Sequence, residues 1–151
     1  MDRSNAMRVT TKGRYALRAI TNLALAASDR PVPIKQIASE EDISPEFLEQ
    51  IFFKLKKAGI INSVRGPGGG FTLERDPGDI TVKEIFDAVG EGMEITPCTG
   101  EDDCDRQDIC LVHEVWKEAS SHIVGYFERL TLARVIDICR EKSLDSVISG
   151  N

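Results

Sequence analysis

Apolar residues recur through the first part of the chain with the three-and-four spacing of helices, and each stretch is punctuated where a helix should start or stop. Tyr15, Ala16, Leu17, Ala19, Ile20, Leu23, Ala24 and Ala27 almost encircle a segment beginning near Lys12. The pattern predicts a core helix from there to about Ala27, capped by Thr10 or Thr11. Ser28 to Pro33 reads as a turn, and Pro33 suits the first position of a second helix, Ile34 to about Ser39. After the short connection Glu41-Asp42-Ile43, Ser44-Pro45 is an N-cap followed by a first-turn proline, and Gly59 ends the third helix. Leu48, Ile51, Phe52 and Leu55 lie at i, i+3, i+4 and i+7 of that helix and must face the core. Two short helices, a tight turn and a capped third helix make a helix-turn-helix pattern.

The opposite face of the third helix carries Glu46, Gln50, Phe53 and Lys57, flanked by Glu49 and Lys54. In a recognition helix the early residues reach base edges and the later ones lie beside phosphates. Gln50 can pair with adenine, Glu46 or Glu49 can accept from cytosine, and Lys54 and Lys57 can neutralise phosphate. Phe53, an exposed aromatic, calls for a partner such as a thymine methyl. Two β-type runs around Arg65-Gly66-Pro67-Gly68-Gly69-Gly70 then predict a hairpin, the wing of a winged helix. Arg65 at its base is the candidate for entering a narrow minor groove. The glycine run is neither a Walker loop nor a dinucleotide fingerprint, because no Gly-Lys-Ser/Thr follows and position 71 is Phe.

Ile80 to Val89 reads as a short helix, with Thr81 as its cap and Val82, Ile85, Phe86 and Val89 on one face. A long helix is predicted from Leu111 to Leu130, containing Val112, Val115, Trp116, Ala119, Ile123, Tyr126 and Phe127. Its apolar sector spans about 160°, wider than the roughly 100° stripe of an ordinary surface helix. It can therefore pack on its own domain and on a second copy, which predicts a two-fold dimer. His122 falls on that sector and reads as a packed or interface histidine; Cys139 reads as a buried small residue. Thr131 can cap a last helix through about Lys142, with a frayed tail beyond.

The fold class expected is mainly α: a winged helix-turn-helix domain with a small β-hairpin wing, plus a long dimerisation helix. Residues 1–6 read as an expression scar before a start at Met7, and 7–78 as the DNA-binding domain. Residues 79–110 form the connecting helix and ligand loop, 111–142 the dimerisation and C-terminal helices, and 143–151 a flexible tail.

Charge sharpens this division. The net charge is -6, but residues 1–75 carry 12 Lys+Arg against 8 Asp+Glu, and residues 76–151 carry 7 against 17. A basic front half (+4) on an acidic chain is the asymmetry expected when one part meets phosphate and the other does not. With 41% hydrophobic residues and no apolar run approaching the roughly 18–20 of a membrane span, the sequence reads as soluble, with the cytoplasm as its compartment and no membrane partner.

Four cysteines, all after position 97, add the chemistry. Cys98, Cys104 and Cys110 are evenly spaced and His113 follows, as C-x5-C-x5-C-x2-H. Three thiolates and an imidazole complete a four-coordinate shell, and Cys110 and His113 are expected on the first turn of the long helix, sharing a face. Such a set serves structural zinc, and iron–sulfur clusters with a histidine ligand also exist. The acidic loop Glu101 to Asp108 should keep the empty thiols protonated, lower a cluster's potential and point away from DNA. No G-x-S-x-G, H-E-x-x-H or nucleotide loop is present, so no enzymatic role and no small-molecule substrate are expected.

Together these features resemble the IscR-type family of winged-helix regulators. Thr11-Lys12-Gly13-Arg14-Tyr15-Ala16 resembles the family's opening, Leu48-Glu49-Gln50 its recognition helix, and Val64-Arg65-Gly66-Pro67-Gly68-Gly69-Gly70 its wing. Cys98, Cys104, Cys110 and His113 resemble the ligand shell of the branch that binds a 2Fe–2S cluster. The likeness implies a homodimeric regulator, a repressor or redox sensor, whose cluster state changes its affinity for double-stranded promoter DNA. Glu46, Glu49, Gln50 and Arg65 become the base-reading candidates; Lys12, Arg14, Gly68 and Gly69 complete the expected DNA-binding set with Phe53, Lys54 and Lys57. Glu46 stands where the family often has a small polar residue, so the target sequence should differ. The competing readings are a zinc-stapled or cluster-free repressor and a small iron–sulfur carrier or redox protein.

Overall fold

The computed structural model describes residues 9–26, 30–93 and 109–148. Six helices and one hairpin follow in the order α1 (Thr11–Ala26), α2 (Ile34–Glu41), α3 (Pro45–Lys57), β1 (Ile61–Val64), β2 (Gly70–Leu73), α4 (Val82–Val89), α5 (His113–Arg129) and α6 (Leu132–Ile148). The mainly helical, winged-helix reading is borne out.

One core joins these elements. Ala16, Ala19, Ile20 and Leu23 of α1 meet Leu48, Ile51, Phe52 and Leu55 of α3 and Val82, Ile85, Phe86 and Val89 of α4. Ile60 and Ile61 close it from the hairpin, Leu132 and Ile136 from α6. The helical periodicities read from the sequence bury the predicted faces because each stripe meets another apolar stripe.

Local signals set the ends. Pro33 is the N-cap of α2 rather than its first residue, and α2 runs on to Glu41 before Asp42 turns the chain in the left-handed region (φ 53°). Asp42 and Ile43 N–H groups then donate to the Ser39 and Ala38 carbonyls, and Ile43 is buried under the turn. The Ser44 hydroxyl caps α3 by accepting from Phe47 N–H at 3.1 Å. Thr81 and Glu84 form a reciprocal capping box at α4.

The wing turn is Gly66-Pro67-Gly68-Gly69, closed by Gly69 N–H on Gly66 O at 2.9 Å. Gly68 at φ 74° after a proline is the type II arrangement that glycine serves. Val32 and Phe71 exchange two backbone hydrogen bonds, at 3.0 and 2.9 Å, which dock the hairpin on the chain before α2. A side chain at Gly70 would overlap the Val32 carbonyl.

The back half departs from expectation in three places. The long helix starts at His113, two residues later than Leu111, since Val112 offers no side-chain cap. The final helix continues to Ile148, past the end read at Lys142. The Ser143 and Ser146 hydroxyls donate to the Cys139 and Lys142 carbonyls within it, and no proline or glycine stands between Leu132 and Gly150; positions 149–151 lie outside the described residues. Cys139 is half-buried at a groove rather than enclosed. The α5–α6 junction is pinned to the start of α4, with Val82 N–H on Leu130 O at 2.9 Å and Leu132 N–H on Ile80 O at 2.8 Å. None of the α5 residues is buried. Among the described residues, no helix is long and apolar enough to cross a membrane.

Candidate nucleic-acid interface and metal centre

Burying Leu48, Ile51, Phe52 and Leu55 turns the other side of α3 outward. Glu46, Glu49, Gln50, Phe53, Lys54 and Lys57 are all exposed, and Phe53 is 68% exposed. None of their side chains has a hydrogen-bond or ion-pair partner among the described residues. Lys56 is different: its ammonium holds the Ser63 hydroxyl at 2.7 Å and ties α3 to the wing. Arg65 is likewise exposed and unpaired among the described residues at the base of the turn. Gly68 sits at the tip, and Gly69 has no room for a side chain because one would strike the Val64 and Gly66 carbonyls. The wing therefore presents backbone rather than side chains there, a surface that can approach a phosphate closely.

Lys12 and Arg14 lie on the first turn of α1. Lys12 Nζ donates to Gly90 O at 3.3 Å, and Arg14 Nη2 to Thr11 Oγ1 at 3.3 Å. Lys54, Lys57 and Gly90 line one shallow depression, so the Gly90 turn lies between the α1 lysine and the lysines of α3. These cations are where counterion release would occur on a duplex.

The cap of α1 is one feature the sequence reading missed. Thr10 and Thr11 were the expected caps, but Gly13 N–H donates instead to Glu91 Oε2 at 3.1 Å. Thr10 N–H donates to Glu91 Oε1 at 2.8 Å, and the Thr10 hydroxyl donates to Oε2 in a short bond. Glu91 is 5% exposed. A carboxylate at a helix start is favourable, but this one comes from the far end of the domain and leaves no mark in local sequence.

Of the four sulfur and imidazole donors, Cys98 and Cys104 lie outside the described residues, as does the acidic loop between them. Cys110 and His113 are described. Cys110 precedes α5 rather than lying in its first turn, and a 3.5 Å bond from His113 N–H to the Cys110 carbonyl folds the two into one turn. Both are half-buried, and Cys110 is a free thiol. The His113 Nδ1 atom is buried and has no hydrogen-bond partner among the described residues. A buried ring nitrogen with its lone pair free, one turn from a free thiol, fits the donor set of a metal site. Among the described residues no group of three or more metal-binding side chains converges, since half of the predicted set falls outside them. His122, placed by periodicity on the apolar sector, is 80% exposed and faces Glu118 at 3.9 Å.

The profile of the Rrf2 family, described as an iron-dependent transcriptional regulator, matches residues 9–138. The chain is 41% identical over 131 residues to the HTH-type transcriptional regulator IscR of Enterobacter sp. (strain 638), covering 87% of this chain and 80% of that one. The same name, identity and coverage apply to the Klebsiella pneumoniae protein. Among solved structures, T. potens IscR superposes with a TM-score of 0.74 at 32% identity, covering 89% of this chain and 90% of that one. CymR, the global cysteine regulator of B. subtilis, gives 0.73 at 27% identity, over 87% and 97%.

Proposed function

On the premise that this chain belongs to the Rrf2 family and is a transcriptional regulator rather than an enzyme, we propose that it is a homodimer that binds promoter DNA in the cytoplasm under the control of a 2Fe–2S cluster held by Cys98, Cys104, Cys110 and His113. The observation carrying the finer part of this reading is the buried Nδ1 of His113 beside Cys110, which has no partner among the described residues. When bound, the cluster supplies a redox-sensitive crosslink between the loop and the start of α5.

The chain's own residues do the rest. Gln50, Glu46, Glu49 and Phe53 read the major groove, Lys54 and Lys57 hold phosphate beside it, and Arg65 enters the neighbouring minor groove. Lys12 and Arg14 flank the same surface, and Gly68 and Gly69 let the wing backbone approach. Glu49 adds discrimination, because an unpaired carboxylate near phosphates repels sites that offer it no donor.

The dimer reading rests on α5. Val112, Val115, Trp116 and Tyr126 are 48%, 55%, 38% and 53% exposed in the single chain, and Phe127 alone turns inward, edge-on to Phe86 at 5.2 Å. A second apolar surface lies between α1 and α6, a groove of about 710 Å³ lined by Leu17, Leu25, Val135 and Cys139. Two such surfaces on one chain favour a second copy over solvent. Pairing along α5 would set two recognition helices about 34 Å apart, one DNA turn.

The test is anaerobic purification with iron and sulfide analysis, followed by binding to operator duplexes at several salt concentrations. Brown protein with equal iron and sulfide, and operator affinity that changes on stripping the iron, is expected. Cys104→Ala should abolish both. Colourless protein holding one zinc per chain would replace the cluster with a structural staple.

A further inference from the structure

We propose that Lys56 and Ser63 form a further phosphate-binding site, which holds the DNA strand separating the groove read by α3 from the groove entered by the wing; the inference rests on the reading above that α3 lies in a major groove and Arg65 in the neighbouring minor one. Neither residue is among those the sequence points to. The chain reversal after α3 brings them together. Gly59, in the left-handed region (φ 75°), donates its N–H to Lys56 O, and Ile60 N–H donates to Leu55 O, both at 3.0 Å. β1 therefore runs back in contact with α3. Ile61 and Ser63 share one face of that strand: Ile61 is buried in the core, and Ser63, two residues further out, is half-buried at its rim. There its hydroxyl accepts from Lys56 Nζ at 2.7 Å.

The chemistry of the pair is one-sided. An ammonium has three hydrogens to donate and accepts nothing, and a hydroxyl that accepts from it still has its own hydrogen to give. Neither group has another partner among the described residues, so two ammonium hydrogens and one hydroxyl hydrogen remain beside a full positive charge. That set fits the oxygens of a phosphate, and the bond between the two groups makes the hydroxyl a stronger donor. Ser63 N–H is taken by Asn62 Oδ1 at 2.9 Å, so the two side chains rather than the strand edge make the site. Position decides which phosphate it meets. By helical spacing Lys56 shares an edge of α3 with Glu49, the edge that faces β1. Lys54 lies on the other edge, where it lines the Gly90 depression with Lys57. A helix in the major groove has one phosphate strand along each of its edges. Lys54, Lys57 and Lys12 serve one strand. Lys56 and Ser63 face the other, which passes between α3 and the wing.

The experiment uses full chains of wild type, Lys56→Gln, Lys56→Arg and Ser63→Ala, all in the same cluster state, with a duplex that wild type selects from random sequences. Binding is measured across a salt series, and again on duplexes in which single phosphates are replaced by uncharged methylphosphonate. Each neutralised phosphate contributes about 0.9 to the slope of log affinity against log salt, so losing one costs roughly eightfold in 0.1 M salt and little in 1 M. Lys56→Gln, which removes the charge and keeps a polar side chain, should show that loss for each bound chain. Lys56→Arg should keep the wild-type slope. Ser63→Ala should also keep it but bind roughly threefold to tenfold more weakly, the worth of one hydrogen bond. With wild type, a methylphosphonate in the strand beside the wing should weaken binding; with Lys56→Gln the same replacement should cost nothing. A lysine that only braces the wing would leave every methylphosphonate response intact in Lys56→Gln. That result, an unchanged salt slope, or Ser63→Ala binding at wild-type strength overturns the proposal while the DNA-binding reading stands. Wild type that selects no duplex fails that reading and takes the proposal with it.

Discussion

Replacing His113 by Leu should make the metal-free protein more stable while abolishing iron retention. A ligand buried for a metal is a cost to the metal-free fold, and here the cost is visible: His113 Nδ1 has no solvent contact and no partner among the described residues. An unsatisfied buried polar atom costs about 1–3 kcal/mol. His113 as a whole is half-buried, so its other ring atoms keep part of their hydration and the low end of that range applies, about 1 kcal/mol. Leu has a similar volume and adds a few tenths of a kcal/mol of helix propensity at the first residue of α5. In urea, with a slope of about 2 kcal/mol per molar, the unfolding midpoint of the stripped variant should rise by about 0.5 M.

The assay pairs two measurements on the same preparations: urea unfolding of iron-free protein, and iron content after anaerobic reconstitution. A ligand predicts opposite signs, with the midpoint up and the iron lost. A histidine that merely packs predicts a midpoint that falls with iron unaffected, and that pair of results would refute the ligand argument.

Three further outcomes follow from other parts of the molecule. Lys57→Ala should weaken operator binding at all sequences and lower the slope of log affinity against log salt by about one, measured by fluorescence anisotropy across a salt series. Val115→Glu places a charge in the exposed apolar face of α5 and should convert dimer to monomer by light scattering while far-UV helicity is kept; dimers surviving unchanged would remove α5 as the interface. The Asn22 amide, and after it that of Gln36, hold the Glu40 carboxyl below its ordinary value. A group depressed in the fold contributes stability above its unfolded value and loses it as pH falls through the folded one. Asn22→Ala should therefore return Glu40 toward the ordinary value in a carboxyl NMR titration and flatten the acid side of the stability profile.

What could be read in the sequence was what is encoded within a few residues. Ser44-Pro45, the Thr81 cap and Gly66-Pro67-Gly68-Gly69 each act on their own backbone, so their side chains announce the structure directly. The stripes on α3 and α4 were legible because every member points into one core. The rest was decided by capping or by a remote partner. Leu111 and Val112 continue the apolar pattern of α5, but helix start depends on capping rather than hydrophobicity, and the helix begins at His113. Lys142-Ser143 looked like an end, whereas Leu144 and Val147 prolong the apolar stripe of α6 along a groove with Leu25 and Cys139. Glu91 was invisible because its donors lie 78 and 81 positions earlier.

The reading head is nearly self-contained: α1 to α4 and the wing close one core with Leu132 and Ile136 of α6, and α5 adds only the partly buried Phe127 to it. In the sequence the sulfur donors come between this head and a helix whose apolar side the single chain leaves open. Folding of α5 is then favoured mainly by whatever covers that side, since an isolated helix of its length is marginal in water. If a second copy covers it, the stability of the ligand turn at Cys110 and His113 becomes linked to protein concentration. Dilution should then lower iron retention before it unfolds the winged helix. Iron loss and winged-helix unfolding that coincide across a dilution series would show that the two halves are one cooperative unit.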